Sequence, residues 1–184
     1  MGKTTKNPYE SAALKYAPPT THTLFVAEAP PSKTGRYFYF EKVRGGDWLW
    51  IALMKALYPQ DWGDTKQERS RKSDWLLRFK QDGFRLIDAV KSPIGGTSHR
   101  RLGHIEEAAD TLMAEIKDIA PLQIVLIKST VHRALYRQFK DKGMPVVNSE
   151  PLPFPCSGQQ LVFHEGLSQL ITDSKLTYSQ DNRT

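Results

Sequence analysis

The feature that most constrains the fold is the segment at residues 24–31, which reads LFVAEAPP. Its apolar start is typical of a buried strand, because an interior strand can be apolar on both faces. Pro30 and Pro31 have no backbone N–H to donate, so they end the strand. Glu28 is therefore predicted where a central strand opens into a loop, at the edge of an open α/β sheet where ligands bind. This position makes Glu28 the first candidate for chemistry.

Three further apolar segments predict three more strands, at about residues 84–90, 122–127 and 144–147. Segments with helical periodicity or helix-capping signals separate the strands. Strands that alternate with helices imply a parallel sheet with right-handed crossovers and helices on both faces. We therefore predict an α/β fold, a three-layer αβα sandwich with a four-stranded, mainly parallel sheet.

The expected helices are bounded by capping residues, prolines and glycines. They are placed at about residues 47–58, 73–81, 104–119, 129–140 and 157–171. Asp47 and Ser129 are the predicted N-caps of the first and fourth helices. Ser157 and Gln160 have the spacing of a capping box for the last one.

The length of 184 residues suits one domain. We assign this domain to residues 22–172. A polar, proline-containing segment precedes it and predicts a flexible N-terminal arm at residues 1–21. Residues 173–184 are predicted to be a polar C-terminal tail.

Composition narrows the class of protein. The 26 basic and 20 acidic residues leave a net charge of +6, a mild bias towards polyanionic partners. The single cysteine, Cys156, excludes an internal disulfide and a cysteine-only iron–sulfur cluster. No apolar stretch approaches the roughly 20 residues of a membrane span, and residues 1–19 lack the apolar core of a signal peptide. We expect a cytoplasmic monomer without a membrane partner.

Nucleotide cofactors and zinc are not expected. The sequence contains neither G-x-x-x-x-G-K-[ST] nor G-x-G-x-x-G. It also lacks the paired histidines or the Cys/His cluster of a zinc site. The prediction is a protein with no cofactor and no metal, although a magnesium ion held by Glu28 and Asp88 is an alternative.

In a parallel sheet all strand carboxyl ends lie at one edge. This edge is expected to gather Glu28, Asp88, the aromatic cluster at residues 37–40 (YFYF) and the loop at residues 154–158. Two carboxylates in a partly dry cleft are able to exchange protons or orient a water; the alternative is two solvated loop carboxylates. Of the four aromatic rings we expect one to face a ligand and the others to be structural.

The order of these motifs resembles the uracil-DNA glycosylase superfamily. Residues 27–31 (AEAPP) resemble its G-E-A-P-G signature, and residues 35–38 (GRYF) resemble the loop whose Phe stacks on the extruded base. Residues 86–90 (LIDAV) fall where the family has a strand ending in a base-reading Asn. Residues 124–127 match its third strand. Residues 153–158 (PFPCSG) fall where it has H-P-S, the loop that enters the minor groove.

The resemblance implies a uracil-DNA glycosylase-like fold and a role for each matching residue. Glu28 would orient the water that attacks the sugar, and Asp88 would read the base. The base-binding residues would be Ala29, Phe38, Asp88 and Phe154. The nucleic-acid backbone would be held by Lys33, Arg36, Arg100, Arg101, Ser157 and Gly158.

Two departures from the family pattern change the expected substrate. Asp88 stands at the Asn position, and an ionised Asp only accepts hydrogen bonds, which suits an amino-bearing base better than uracil. A protonated Asp88 would restore a donor but needs a raised pKa. Phe154 stands at the position of the histidine that stabilises the departing base anion, and a phenyl ring donates no hydrogen bond.

The function expected from the sequence is therefore hydrolysis of the N-glycosidic bond of an extruded, non-uracil base, with DNA as the partner. Two alternatives stay open. One is a catalytically silent nucleic-acid-binding module of the same fold. The other is an N-glycosidase acting on free nucleotides.

Overall fold

The computed structural model describes residues 7–43, 46–173 and 176. Over these residues the chain forms three strands, seven α-helices and one 3-10 turn. In chain order they are α1 (Pro8–Lys15), β1 (Thr23–Ala27), the 3-10 turn (Thr34–Arg36), α2 (Trp48–Leu57), α3 (Lys66–Ser70), α4 (Lys72–Gln81), β2 (Phe84–Asp88), α5 (Ser98–Ile119), β3 (Gln123–Leu126), α6 (Ser129–Asp141) and α7 (Gln160–Thr172).

The strands form one parallel sheet in the order β2-β1-β3. Strand β1 lies in the centre and all of its residues are buried, as residues 24–31 predict. Ala27 pairs with Asp88, and Val26 pairs with both Ile87 and Leu126. The carboxyl ends of all three strands therefore lie at the same edge of the sheet.

The prediction of a fourth strand at residues 144–147 is wrong for a clear reason. This segment makes a single parallel bridge, between Val146 and Ile124. Pro145 interrupts its hydrogen-bonding pattern because it has no N–H. The side-chain amide of Asn148 then takes the place of a strand backbone: it accepts from Leu126 N at 2.9 Å and donates to Leu126 O at 3.1 Å.

Helices cover both faces of the sheet. Phe25 and Ala27 pack into an apolar cluster with residues of α2, α4 and α7. Leu24 and Val26 point the other way and pack with residues of α5 and α6. Alternate residues of a strand face opposite sides, so this division follows from the sequence of β1. The arrangement is compatible with a three-layer αβα sandwich.

Capping explains where two central helices begin. Asp47 is the N-cap of α2, as predicted, and its carboxylate accepts from Trp50 N at 3.4 Å. Helix α5 begins six residues before the predicted residue 104, because Thr97 caps it by accepting from Arg100 N. Residues 98–103, which precede the predicted helix, are therefore helical.

The predicted capping box of the last helix is wrong. Helix α7 begins at Gln160 without a side-chain cap. Ser157 (φ 51°) and Gly158 (φ 85°) instead adopt the left-handed conformation of a turn. A capping box occurs elsewhere, between Thr65 and Glu68 at the start of α3, in a segment that the sequence suggested only as a polar insertion.

The segment predicted as a flexible N-terminal arm contains α1, which contacts the core at its two ends. The Tyr9 ring lies edge-on to Tyr37, with centroids 4.9 Å apart. Tyr16 stacks on Tyr39 at 6.1 Å, and its hydroxyl bonds to Glu41 at 2.7 Å. Residues 1–6 lie outside the described part of the chain.

Most of the predicted C-terminal tail also lies outside the described residues. Leu176 is described, and it is buried in the cluster that contains Phe25. In the part of the chain that the structure describes, none of the helices combines the length and apolar character needed to cross a membrane.

Candidate functional site

A cleft of about 430 Å³ opens at the carboxyl edge of the sheet. Six of the residues predicted to act on a base or backbone line it: Glu28, Ala29, Arg36, Phe38, Asp88 and Phe154. Other lining residues come from the loop after β1, the start of α2 and the segments after β2 and β3; they include Pro30, Pro31, Tyr37, Asp47, Trp48, Ile94, Lys128 and Cys156. The topology thus brings together side chains that are far apart in sequence.

Glu28 is fixed in this cleft by hydrogen bonds and charge. Its side chain is 10% exposed. One carboxylate oxygen accepts from Thr130 Oγ1 at 2.6 Å. The other forms an ion pair with Lys128 and lies 3.8 Å from an Arg101 guanidinium nitrogen. Glu28 therefore has one orientation, set by the first turns of α5 and α6.

Lys128 is a site residue that the sequence interpretation missed. It directly follows the strand predicted at residues 122–127 and lies two residues after the end of β3, so its position at the same edge was a usable signal. Its φ of 84° lies in the left-handed region, which is strained for a non-glycine residue. The ammonium lies 6.0 Å from the centroid of the Phe154 ring, and the backbone N–H donates to Leu152 O at 2.7 Å.

Asp88 lies in a very different environment from Glu28. It is 7% exposed, and among the described residues no hydrogen-bond donor contacts its carboxyl oxygens. Burial raises the pKa of Asp88 to about 7, with further increases from the charges of Glu115 and Glu28 and an opposing effect of Lys91. Lys91 is itself paired with Glu115 at 2.5 Å. Burial therefore favours the protonated form of Asp88 far more than in a solvated aspartate.

Asp88 also lines a second cleft, of about 370 Å³, beneath α1. The two clefts share Pro30, Tyr37, Leu86 and Asp88 as walls. The tyrosine hydroxyl is deeply buried, and desolvation raises its pKa well above the usual range. Tyr37 and Asp88 thus form the partition between the two clefts.

The aromatic cluster contributes both to the core and to the cleft, which two of its four residues, Tyr37 and Phe38, line. Phe38 lines the main cleft while its ring packs on Tyr39 at 4.8 Å and Phe79 at 5.4 Å. The Tyr39 hydroxyl is structural: it donates to Leu86 O at 3.0 Å and accepts from Leu86 N at 2.8 Å. Phe40 stacks on Tyr9 at 5.7 Å. Phe38 is 4% exposed, so a ligand would meet only the small part of its ring that faces the cleft.

The residues predicted to hold a nucleic-acid backbone do not form one group. Arg36 is exposed at the cleft rim. Lys33 is exposed in the loop after β1, and Arg100 is exposed in the first turn of α5. Arg101 instead points at Glu28, and its Nε is buried without a hydrogen-bond partner in the described residues. Ser157 and Gly158 are exposed in the turn before α7, outside the cleft lining.

A buried ion pair supports the wall of the cleft. Lys72 and Asp47 are 2% and 7% exposed and pair with each other. The Lys72 ammonium also donates to Tyr37 O at 3.4 Å and lies over the Trp50 ring at 5.1 Å. Because Asp47 caps α2, this lysine links that helix to the aromatic loop. Lys72 lies in a polar stretch of sequence that gave no sign of burial.

The described residues contain no group of three or more His, Cys, Asp or Glu side chains arranged to hold a metal ion. The alternative of a magnesium ion between Glu28 and Asp88 also lacks support from the observed contacts, because Glu28 is already bound by two cationic side chains.

No model of a known protein family matches the chain, and no curated protein matches it either. The function is therefore argued from the fold and from the geometry of the cleft.

Proposed function

We propose that the protein hydrolyses the N-glycosidic bond of a base extruded from DNA. The observation that carries the proposal is the convergence of Glu28, Phe38, Asp88 and Phe154 on one cleft. The cleft volume of about 430 Å³ lies in the range of roughly 300–1,000 Å³ typical of small-molecule sites. The resemblance of residues 27–31 and 86–90 to the glycosylase motifs supports the same reaction.

In this mechanism the base leaves the DNA stack before it reacts. Its ring rests against the accessible part of Phe38, with Phe154 as the opposite apolar wall. Glu28 orients a water towards the sugar carbon. The hydrogen bond from Thr130 at 2.6 Å and the ion pair with Lys128 hold the carboxylate for this task.

Asp88 selects the hydrogen-bonding edge of the base. In its protonated form the carboxyl group offers one O–H donor and one carbonyl acceptor. This pair complements the lactam edge of hypoxanthine or uracil, and also the amidine edge of adenine. The ionised form offers acceptors alone and complements an edge with two N–H donors, such as that of guanine. A pKa near 7 therefore favours lactam or amidine edges below neutral pH.

The DNA backbone is held by exposed basic residues. Lys33, Arg36 and Arg100 are exposed, and Arg36 also lines the cleft; such side chains bind phosphates with a strong dependence on salt. Ser157 and Gly158 lie in the exposed turn before α7, next to Cys156 of the cleft lining, and offer backbone N–H groups to a phosphate. Arg101 contributes less directly, since it contacts Glu28.

The test is a base-release assay on oligonucleotides that carry uracil, hypoxanthine, xanthine or an alkylated base. The wild type is expected to leave an abasic site with at least one of them, and Glu28→Gln is expected to lower the rate by about 10² to 10⁴-fold. No product with any base would reject the enzymatic function.

A silent DNA-binding module is the second candidate. Two observations favour it. Phe154 has no proton to donate to a departing base. Both carboxylate oxygens of Glu28 are already bound by side chains of the protein. In that case salt-dependent binding of oligonucleotides survives both Glu28→Gln and Asp88→Asn, with no abasic product from the wild type.

A further inference from the structure

Lys128 lines the cleft on the other side of Glu28 from Asp88. The sheet order puts Asp88 after β2, Glu28 after β1 and Lys128 after β3. Neighbouring strands are about 4.8 Å apart, so Asp88 and Lys128 flank the cleft on opposite sides of Glu28. A base whose hydrogen-bonding edge meets Asp88 directs the atoms next to its glycosidic nitrogen towards Lys128.

We propose that Lys128 is a catalytic residue that stabilises the anion of the departing base, in place of a hydrogen-bond donor at position 154. This inference rests on the proposed function. An ammonium group has three donors, and in the described residues one of them is used by Glu28. The remaining donors lie beside the apolar Phe154 ring, where low polarity strengthens a charge–charge interaction.

Other cations near the cleft are less suited to this role. Arg36 is exposed at the rim, where solvent screens its charge. Lys72 is buried in its pair with Asp47. Arg101 approaches Glu28 at 3.8 Å but is not part of the cleft lining. Lys128 is the cation that both lines the cleft and contacts Phe154.

The backbone of Lys128 supplies a second, independent observation. A φ of 84° at a non-glycine residue is strained, and such strain persists mainly at functional sites. Glycine would adopt this conformation without the penalty. The fold alone therefore does not require a lysine at this position.

The reaction step balances without an oxidant or a reductant. The bond from the sugar carbon to the base nitrogen breaks, and the electron pair leaves with the base. A water oxygen forms the new bond to the sugar carbon, and its proton passes to Glu28. The base anion is held by the Lys128 ammonium until solvent protonates it.

The experiment compares release of uracil and of 5-fluorouracil, whose anion is more stable because fluorine withdraws charge. Lys128→Met is expected to lose about 10²-fold with uracil and much less with 5-fluorouracil. Arg101→Met is the matched control, because it also removes a cation from Glu28 but leaves the cleft lining intact. Its loss is expected to be the same for both bases.

Lys128→Gly distinguishes an effect of this residue on stability from an effect on the reaction. We expect it to melt at or above the temperature of the wild type and to show the same dependence on the leaving group as Lys128→Met. An equal loss for both bases in the Lys128 variants would overturn the inference, because Lys128 would then act only by positioning Glu28. The proposed function would survive that result.

If the wild type releases neither base, the role of Lys128 is tested by adding 5-fluorouracil itself to the protein. The ultraviolet spectrum of the bound base shows whether it is neutral or anionic. The inference requires the wild type to bind the anion in preference to the neutral base, and Lys128→Met to lose this preference. Equal spectra for the two proteins would reject the role of Lys128. Absence of base release from every oligonucleotide rejects the proposed function by itself.

Discussion

Asp88 and Glu28 are two carboxyl groups in one cleft with opposite surroundings. Glu28 is held by Thr130, Lys128 and Arg101. Asp88 is buried, and its oxygens receive no hydrogen bond from the described residues. Environments that differ in this way separate an acid from a base within one site. Asp88 is the group expected to change its protonation state near neutral pH.

The raised pKa of Asp88 should make the free energy of unfolding depend on pH. Between about pH 4 and pH 7 the carboxyl stays protonated in the fold but ionises in the unfolded chain, so stability falls as pH rises. Relative to Asp88→Asn, the wild type is expected to lose up to about 1.4 kcal/mol of unfolding free energy per pH unit in this window. Urea denaturation at several pH values measures the difference.

Asp118→Asn, at an exposed position of α5, is the control for the loss of one negative charge. Parallel pH profiles for the wild type and Asp88→Asn would show that Asp88 ionises normally, and the substrate argument would lose its basis. Among the charged groups around Asp88, Lys91 alone opposes the shift, and both proteins retain it.

At the scale of single residues, the positions of the two carboxylates were predicted from the sequence, but the side chains that contact Glu28 were not. Glu28 and Asp88 follow apolar strands, and the parallel topology brings the ends of such strands together. The contacts of Glu28 come from residues about 100 positions later in the chain. Pairings over such distances depend on the angles at which α5 and α6 pack, which a single sequence does not determine.

Among the elements, α1 shows how a polar segment becomes part of the core. It contributes no buried residue within its own span. Tyr9 and the residue after the helix, Tyr16, attach it to the aromatic cluster behind the cleft. Tyr9 and Tyr16 are seven positions apart, and two apolar residues at this spacing are too few to predict a helix from the sequence.

Removing one of these anchors should destabilise the whole fold. Tyr16 is 4% exposed, and Tyr16→Ala leaves a cavity beside Tyr39, so we expect a loss of about 3 kcal/mol. Leu14→Ala changes a neighbouring residue that is 53% exposed and should cost less than about 0.5 kcal/mol. Chemical denaturation of both variants tests the attachment. A similar small effect for both would mean that α1 contributes little to stability.

The edge of the sheet illustrates a second limit of sequence-based prediction. Residues 144–147 have the composition of a strand, yet Pro145 and the side chain of Asn148 complete the hydrogen bonds of β3. The Asn148 side chain takes the place of a backbone peptide group, and a single residue of this kind produces no periodic pattern in the sequence. The three strands that do form contain no proline.

For the molecule as a whole, the net charge of +6 favours a polyanionic partner, and Lys33, Arg36 and Arg100 are exposed. Oligonucleotide affinity is expected to fall steeply with salt. Arg36→Gln and Arg100→Gln should each lower the slope of log K against log salt by about 1. Fluorescence anisotropy over a range of salt concentrations measures these slopes.

Lys140→Gln removes the same charge from an exposed position near the end of α6, at the opposite edge of the sheet. Its slope should match that of the wild type. Equal slopes for all three variants would mean that the DNA binds another surface and that Arg36 and Arg100 do not contact it.

The most direct measurement is a crystal structure of Glu28→Gln bound to a duplex that contains one hypoxanthine. We expect the base outside the stack, with its lactam edge about 3 Å from the Asp88 carboxyl, its ring between Phe38 and Phe154, and its glycosidic nitrogen on the side of Lys128. A base that stays stacked in the duplex, or that enters the cleft beneath α1, would contradict the proposed mechanism.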